Sequence, residues 1–279
     1  KSKVQFISIL IMATLAVCIV TGIDCLWKTV EKHSDNMYAA SNISDLWVNA
    51  ENPTEKELWS IKRIKGVEKA EKRFVLDVFS DLEGSPTLRI YAVSANSTLD
   101  LPMLLKGKLT SSGGAILDEV FARAHGLKIN DNISLKINDK WIKFTIEALA
   151  LSSEHIYSVK GSTGTFPDPK KYGFIIINED ILKSAYGRKI FNQISVKLSV
   201  DADITQIKAR IDNAIGDNLI GIVARRDHSS VSNINANIQQ FKLLAAVFSL
   251  MFFIVTALIT QSTMLRMVEN QRGQIGVLK

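Results

Sequence analysis

The pattern of hydrophobic and polar positions divides the chain into three parts. Residues 4–23 and 243–265 form two runs without a charged residue, of 20 and 23 residues. Because an α-helix rises about 1.5 Å per residue, these runs would form helices roughly 30 and 34 Å long, enough to cross the ~30 Å hydrocarbon core of a bilayer. The pattern therefore predicts one membrane-spanning helix near each end of the chain and a large hydrophilic domain between them.

The hydrophilic region alternates short strand patterns with amphipathic helix patterns, which is typical of a mixed α+β domain. We predict strands at 45–48, 67–80, 88–93, 115–117, 133–137, 141–151, 172–177, 191–200 and 219–224. We predict helices at 53–65, 119–124, 178–187 and 203–215, and a helical extension of the first span to about residue 40. The Gly-, Pro- and Ser-rich segment 158–171 is predicted to be a loop.

Three of these predictions rest on particular residues. Asn52 is expected to cap the helix that follows it, with Pro53 at its first position and Glu55 three residues after the cap. Asp118 is expected to cap a short helix that ends at Gly126. The helix at 203–215 carries an apolar face at helical spacing, made of Ile204, Ile207, Ile211 and Ile215.

The chain is thus expected to have four parts. Residues 1–30 form the first transmembrane helix, and residues 31–240 form an extracytoplasmic α+β domain that includes a small β-rich subdomain at about 98–157. Residues 241–265 form the second transmembrane helix, and residues 266–279 form a cytoplasmic segment. Because the chain begins with a lysine and ends directly after an apolar stretch, we interpret it as a segment of a longer membrane protein.

The net charge of +6 does not indicate a nucleic-acid partner, because the basic excess lies at the ends of the spans. Lys1 and Lys3 precede the first span, and Arg266, Arg272 and Lys279 follow the second. Basic residues of this kind favour the cytoplasmic side of a membrane. We therefore expect a multi-pass protein of the cell membrane with both termini in the cytoplasm and the middle domain outside.

The first apolar run is expected to stay in the protein as an anchor. A cleaved signal peptide has a shorter apolar core and a small-residue cleavage site, whereas Asp24, Cys25 and Leu26 follow this run. Lipidation of Cys25 is a minor alternative. Cys18 and Cys25 lie seven residues apart on one predicted helix, too far apart for a disulfide, so the exported domain depends on its own apolar core.

No catalytic motif is present in the sequence. There is no phosphate-binding G-x-x-x-x-G-K-[ST] loop and no G-x-S-x-G nucleophile elbow. The four histidines are scattered without the spacing of metal ligands. Glu154 and His155 are neighbours in sequence, and because such neighbours point in different directions, they do not predict a catalytic dyad. We therefore expect neither an enzyme nor a cofactor on this chain.

The segment after the second span is longer than a membrane-flanking cluster of basic residues requires. Residues 266–279 continue as an amphipathic stretch in which Met267, Ile275, Val277 and Leu278 are apolar. Such a pattern is typical of a segment that packs against a partner at the membrane surface.

In this segment and in two segments of the hydrophilic domain, the sequence resembles the FtsX-like/MacB-like family of ABC-transporter permeases. Residues 265–279 (LRMVENQRGQIGVLK) are similar to the family's segment at the cytoplasmic end of the second span. Residues 64–70 (IKGVEKA) resemble a strand early in the family's extracytoplasmic domain, which is of the MacB-type periplasmic core. Residues 115–119 (AILDE) and 126–131 (GLKIND) resemble its strand, short helix and turn.

The resemblance implies a transmembrane permease subunit that is not itself an enzyme and works with a separate cytoplasmic ABC ATPase, which binds the ATP. The residues that would contact that ATPase are Glu269, Arg272, Gln274, Ile275 and Gly276. A second permease half or copy, the lipid bilayer, and an extracytoplasmic lipoprotein or peptide are the other implied partners. The implied function is export of a peptide or lipoprotein, or mechanotransmission to a target outside the membrane.

Two other classes of protein share this topology. A two-span sensor or receptor would carry an extracytoplasmic ligand-binding domain and, after its second span, a parallel coiled-coil signalling helix with apolar residues at the a and d positions of each heptad. Gly273 and Gly276 lower helix propensity in that segment and favour the permease. A membrane-anchored enzyme is the third alternative, and the lack of a catalytic constellation argues against it.

Overall fold

A computed structural model describes residues 2–108, 113–157 and 167–277 of the chain. The predicted loop at 158–171 therefore lies largely outside the described residues. By its internal contacts the chain forms two units, one made of Ser34–Ile234 and the other of Lys1–His33 together with Asn235–Lys279.

The second unit consists of two long helices. Helix α1 spans Ser2–Ala40, and the last helix, α6, spans Ser229–Val277. Both are long and apolar enough to cross a membrane, over Ala13–Ala40 and Ser229–Arg266. The predicted spans at the two ends of the chain, and the helical extension of the first span to residue 40, are thus confirmed as helices.

The unit formed by Ser34–Ile234 is a mixed α+β domain, as predicted. Its strands are β1 (Leu46–Ala50), β2 (Val67–Phe79), β3 (Thr87–Val93), β4 (Met103–Gly107), β5 (Gly114–Asp118), β6 (Asn132–Ile137), β7 (Lys140–Leu151), β8 (Tyr172–Asn178), β9 (Gln193–Leu198) and β10 (Leu219–Ala224). Its helices are α2 (Glu55–Lys62), α3 (Glu119–His125), α4 (Ile181–Tyr186) and α5 (Ile204–Ile215). Every strand that the alternation predicted is present, and β4 is a strand that the sequence analysis missed.

The strands form one sheet in the order β10-β1-β9-β2-β3-β8-β5-β7-β4, with β6 paired to β7. The long strand β2 joins two parts of this sheet. Its residues up to Arg73 pair with β9, and its residues from Phe74 onward pair with β3. The strands within 98–157 belong to the same sheet, since β5 pairs with both β7 and β8.

Each part of the sheet has its own apolar core. Helices α2 and α5 cover the part made of β10, β1 and β9, where Leu58, Ile61, Ile207 and Ile211 are buried. Helices α3 and α4 cover the other part, where Phe121 and Leu182 are fully buried. Burial of these apolar faces, rather than any disulfide, stabilises the domain.

Two details of the helix predictions are wrong. The cap of α2 is Thr54 instead of Asn52: the Thr54 hydroxyl accepts a hydrogen bond from the Glu57 amide, and the Glu57 carboxylate accepts one from the Thr54 amide. This Thr-x-x-Glu capping box satisfies two free amides at once, which a cap at Asn52 would not do. On α5, Ile204 is exposed because it lies in the first turn, beyond the edge of the core.

The short helix α3 forms as predicted. Asp118 accepts a hydrogen bond from the Val120 amide, and Gly126 ends the helix in the left-handed conformation with φ of 69°. Next to it, Gly173 of β8 lies against Phe121: a Cβ atom at this glycine would come within 2.7 Å of the Phe121 Cβ. Only glycine therefore lets α3 approach the sheet this closely.

We predict that Gly173→Ala destabilises the domain by about 1–3 kcal/mol, because the added methyl group overpacks the contact with Phe121. The matched control is Gly221→Ala on β10, where a Cβ would meet no atom within 4 Å. Urea unfolding of the detergent-solubilised chain, followed by tryptophan fluorescence to which the buried Trp47 contributes, measures both variants. Equal midpoints for the two variants would contradict the close packing of α3 on β8.

Candidate functional site

The predicted coupling residues lie on one continuous helix. Helix α6 runs without interruption to Val277, so that Gly273 and Gly276 are both helical. The lower helix propensity of these two glycines does not end the helix, because the helix already formed through the span extends past them at a cost of only about 1 kcal/mol per glycine.

The helical backbone brings most of the predicted coupling positions to one side. At 100° per residue, positions 269, 272 and 276 share a face, and position 275 lies beside them. Position 274 falls on the opposite face, so a flat partner surface would not reach it together with the others. Glu269 is exposed to solvent.

At the other end of the two long helices, α1 and α6 are joined by a polar contact that the sequence analysis missed. The Lys242 ammonium lies 2.9 Å from a carboxylate oxygen of Glu31 and 4.4 Å from the centre of the Trp27 ring. The Trp27 indole donates a hydrogen bond of 3.0 Å to Asp24. These residues, which we call the α1–α6 contact, join the two helices. Glu31 and Lys242 are 211 residues apart in sequence.

A second polar cluster lies inside the domain, at the residue of β2 where the strand changes partner. Arg73 is buried, and its Nη2 atom lies 2.8 Å from Oε1 of the buried Glu154. Its Nη1 atom lies 3.2 Å from Oδ2 of Asp100, and its Nε donates a 2.6 Å hydrogen bond to Gln193. We call these four residues the junction network.

The acceptors in the junction network are themselves held by other donors. The Trp47 indole donates to Glu154 at 3.0 Å, and the Ser195 hydroxyl donates to Asp100 at 2.7 Å. The Ser44 amide and hydroxyl also donate to Asp100, each at 2.8 Å. The network thereby connects β1, β2 and β9 with the loop after β3 and the turn after β7.

Burial and the neighbouring charges shift the pKa values of Arg73 and Glu154 in opposite directions. Burial acts to lower the pKa of Arg73, but Glu154 and Asp100 outweigh it, so the pKa of Arg73 lies above its ordinary value. Burial raises the pKa of Glu154, and the nearby Arg73 opposes that change. The adjoining cavity is only about 40 Å³, which has room for no more than a few waters. The network therefore holds the fold together and is not a substrate site.

Sequence reasoning did not find the junction network, because its members are far apart along the chain and match no motif. The separation is 81 residues between Arg73 and Glu154 and 120 between Arg73 and Gln193. Glu154, which belongs to the network, and its neighbour His155 have different partners. Glu154 contacts Arg73, whereas His155 Nε2 lies 2.9 Å from the Tyr91 hydroxyl.

Over the described residues, no group of three or more histidine, cysteine or acidic side chains could hold a metal ion. Buried histidines there pack against aromatic rings instead. His228 lies with its ring centre 4.6 Å from that of Trp47, and burial lowers its pKa to about 4. These histidine rings pack with the core of the domain.

Comparison with known proteins finds similar structures but no similar sequences. No family model matches the chain, and no curated protein matches it. The chain is similar to the extracellular domain of the noncanonical ABC-type transporter YknZ from Gram-positive bacteria, with a TM-score of 0.42 and 11% identity over 63% of this chain and 93% of that one. It is also similar to the periplasmic region of MacB from Actinobacillus actinomycetemcomitans, with a TM-score of 0.42 and 12% identity over 70% and 91%.

We predict that Arg73→Ala destabilises the domain by about 3–5 kcal/mol, because it leaves two carboxylates buried without their cation. Arg89→Ala is the matched control: Arg89 pairs with Asp77 at 2.7 Å, but both side chains are one-third exposed, and such pairs contribute about 1 kcal/mol or less. Urea unfolding of both variants measures the difference. A loss no larger for Arg73→Ala than for Arg89→Ala would refute the structural role of the network.

A second prediction concerns acid stability. The unfolded chain binds a proton at His228 near pH 6.5, whereas the folded chain binds it only near pH 4. The contribution of this group to the free energy of unfolding is therefore fully present above pH 6.5. It decreases as the pH falls toward 4, by up to about 3 kcal/mol. Compared with His228→Gln, the wild type should lose more stability between pH 6.5 and 4 in urea unfolding. Parallel pH profiles would contradict this.

Proposed function

We propose that this chain acts as a transmembrane permease subunit of an FtsX-like/MacB-like ABC transporter. In this proposal a separate cytoplasmic ATPase hydrolyses ATP, and the permease converts the motion into a conformational change of its domain outside the membrane. The proposal rests on two observations together: α6 continues as one helix through the apolar span into the segment at 265–279, and the sequence of that segment resembles the family's segment at the cytoplasmic end of its second span.

The charge distribution supports the orientation that this function needs. Lys1 and Lys3 lie before the first span, and Arg266 and Arg272 follow the second. Positive charge of this kind is retained on the cytoplasmic side, whereas long domains are exported largely regardless of their charge. In the proposed orientation, the domain is extracytoplasmic and the segment at 265–279 meets the cytoplasmic ATPase.

The mechanism that we propose uses α6 as a rigid connection. The ATPase binds at Glu269, Arg272, Ile275 and Gly276, with Gln274 on the other face of the helix. When two ATPase domains close on ATP, they displace this end of α6. A helix of 49 residues is about 74 Å long and is therefore longer than the membrane is thick. Displacement of its cytoplasmic end would then move its opposite end as well.

The α1–α6 contact would pass that displacement from α6 to α1. Lys242 is held by both an ion pair and a ring, so it resists sliding of one helix along the other more than an isolated surface pair would. Inside the domain, the junction network would keep both parts of the sheet moving together. Outside the membrane, the motion would act on an exported peptide or lipoprotein, or on a protein that responds to mechanical force.

A two-span sensor is the second candidate, and one specific observation favours it. Helix α6 continues through Gly273 and Gly276, as a signalling helix would. The two candidates differ in chemistry: a permease co-purifies with an ATPase, whereas a sensor kinase transfers phosphate from ATP to its own polypeptide.

We predict that Ile275→Asp abolishes coupling, because a charge at the proposed contact interrupts an apolar interface. The full-length protein, purified from the membranes of its natural host, should carry a bound ATPase whose hydrolysis rate falls at least about tenfold in this variant. The control Leu258→Ala changes an exposed apolar residue in the middle of the span and should keep the wild-type rate. Autophosphorylation of the protein without a bound ATPase would instead establish the sensor.

A further inference from the structure

A second cavity, of about 230 Å³, lies in the domain, and its lining shares Ser152 with the small cavity beside the junction network. It is formed where the end of β7, the beginning of α3 and strand β8 meet. Its walls are mostly apolar, and Leu151 and Met37 contribute to them. For scale, an apolar cavity of about 150 Å³ holds a benzene ring, so this one has room for a single ring with a short side chain.

One wall of the cavity is aromatic. The ring centre of His155 lies 5.0 Å from that of Phe174 and 6.0 Å from that of Tyr172, and all three residues line the cavity. His155 is fixed in place, because its Nε2 atom is 2.9 Å from the Tyr91 hydroxyl. Aromatic faces carry partial negative charge and attract cations placed over them.

The cavity also contains a carboxylate. Asp118 lines it, and its residue is buried, with Oδ1 accepting the 3.0 Å hydrogen bond from the Val120 amide. Burial raises the pKa of Asp118 to about 6, so the group is still mostly ionised at pH 7. Burial also lowers the pKa of His155 well below its ordinary value, so that this ring carries no positive charge there.

No lysine or arginine is among the residues that line the cavity within the described part of the chain. The Arg89 guanidinium, which lies 5.7 Å from the centre of the Tyr172 ring, is paired with Asp77. Among the residues that the structure describes, backbone amides are the groups that stabilise the Asp118 carboxylate. A buried carboxylate in an apolar and aromatic pocket gains from a cation that fits.

We propose that this cavity is a binding site for an organic cation, namely a protonated amine on a small aromatic or apolar body. The ammonium group contacts the Asp118 carboxylate, and the body packs against Phe174, Tyr172 and Leu151. Both a free amine and the amino-terminal residue of an apolar peptide have this chemistry. The proposal stands on the cavity alone and does not depend on the transporter function.

The test compares two molecules of nearly equal shape on the unaltered chain. Isothermal titration calorimetry of the detergent-solubilised protein uses 2-phenylethylamine, which is protonated at pH 7, and 2-phenylethanol, which is neutral. We expect saturable binding of the amine and at least about tenfold weaker binding of the alcohol, as for the loss of a charge-assisted contact. No saturable binding of the amine, or equal binding of the alcohol, would overturn the proposal.

A matched pair of variants tests the role of the carboxylate. Asp118→Asn keeps an oxygen that can cap α3 but removes the charge, and should weaken amine binding at least about tenfold. Asp203→Asn makes the same change at the cap of α5, where Asp203 accepts hydrogen bonds from Thr205 and Gln206, and should leave binding unchanged. Unchanged binding in Asp118→Asn would overturn the assignment of Asp118.

Two peptides then distinguish the sources of the amine. Phe-Gly-Gly with a free amino terminus and its N-acetylated form differ only in the charged group. Binding of the free peptide but not the acetylated one identifies the site as a receptor for peptide amino termini. Binding of 2-phenylethylamine without either peptide identifies it as a site for small amines, and both results support the proposal.

Discussion

The buried cation at position 73 is the constraint on which the domain's architecture depends. A buried guanidinium needs hydrogen-bond acceptors for its N–H groups. Glu154, Asp100 and Gln193 provide these acceptors for Arg73. It does so at the one point of β2 where the strand leaves β9 and begins to pair with β3. The arrangement of the two parts of the sheet is thus tied to a single satisfied charge cluster.

The same turn that completes this cluster also shapes the cavity. In the turn Ser153–His155, Glu154 contacts Arg73, whereas the ring of His155 faces Tyr172 and Phe174. Two neighbours in sequence therefore serve two different purposes, since successive side chains point apart. A residue of the junction network is thus the direct neighbour, along the chain, of a residue in the wall of the proposed binding cavity.

Interactions other than those inside the domain stabilise the two long helices, α1 and α6. Most of their apolar side chains are exposed, as expected of helices that a bilayer surrounds. Within their own unit they are joined by Lys242, Glu31 and Trp27, a contact that combines an ion pair with an aromatic ring. In the proposed function this contact and the uninterrupted α6 make the two spans respond as a pair.

The sequence by itself determined the two long apolar helices and nearly all strands and helices of the domain, because these depend on local periodicity and on caps such as Asp118 and Gly126. It misplaced the cap of α2, where Thr54 and Glu57 compete with Asn52, and it missed the edge strand β4. Only the tertiary structure decided the rest: Arg73 with Glu154, Lys242 with Glu31, and Asp118 with the rings of His155 and Phe174. The members of these sets lie tens to hundreds of residues apart, and no periodicity or motif records a contact that exists only after the chain has folded.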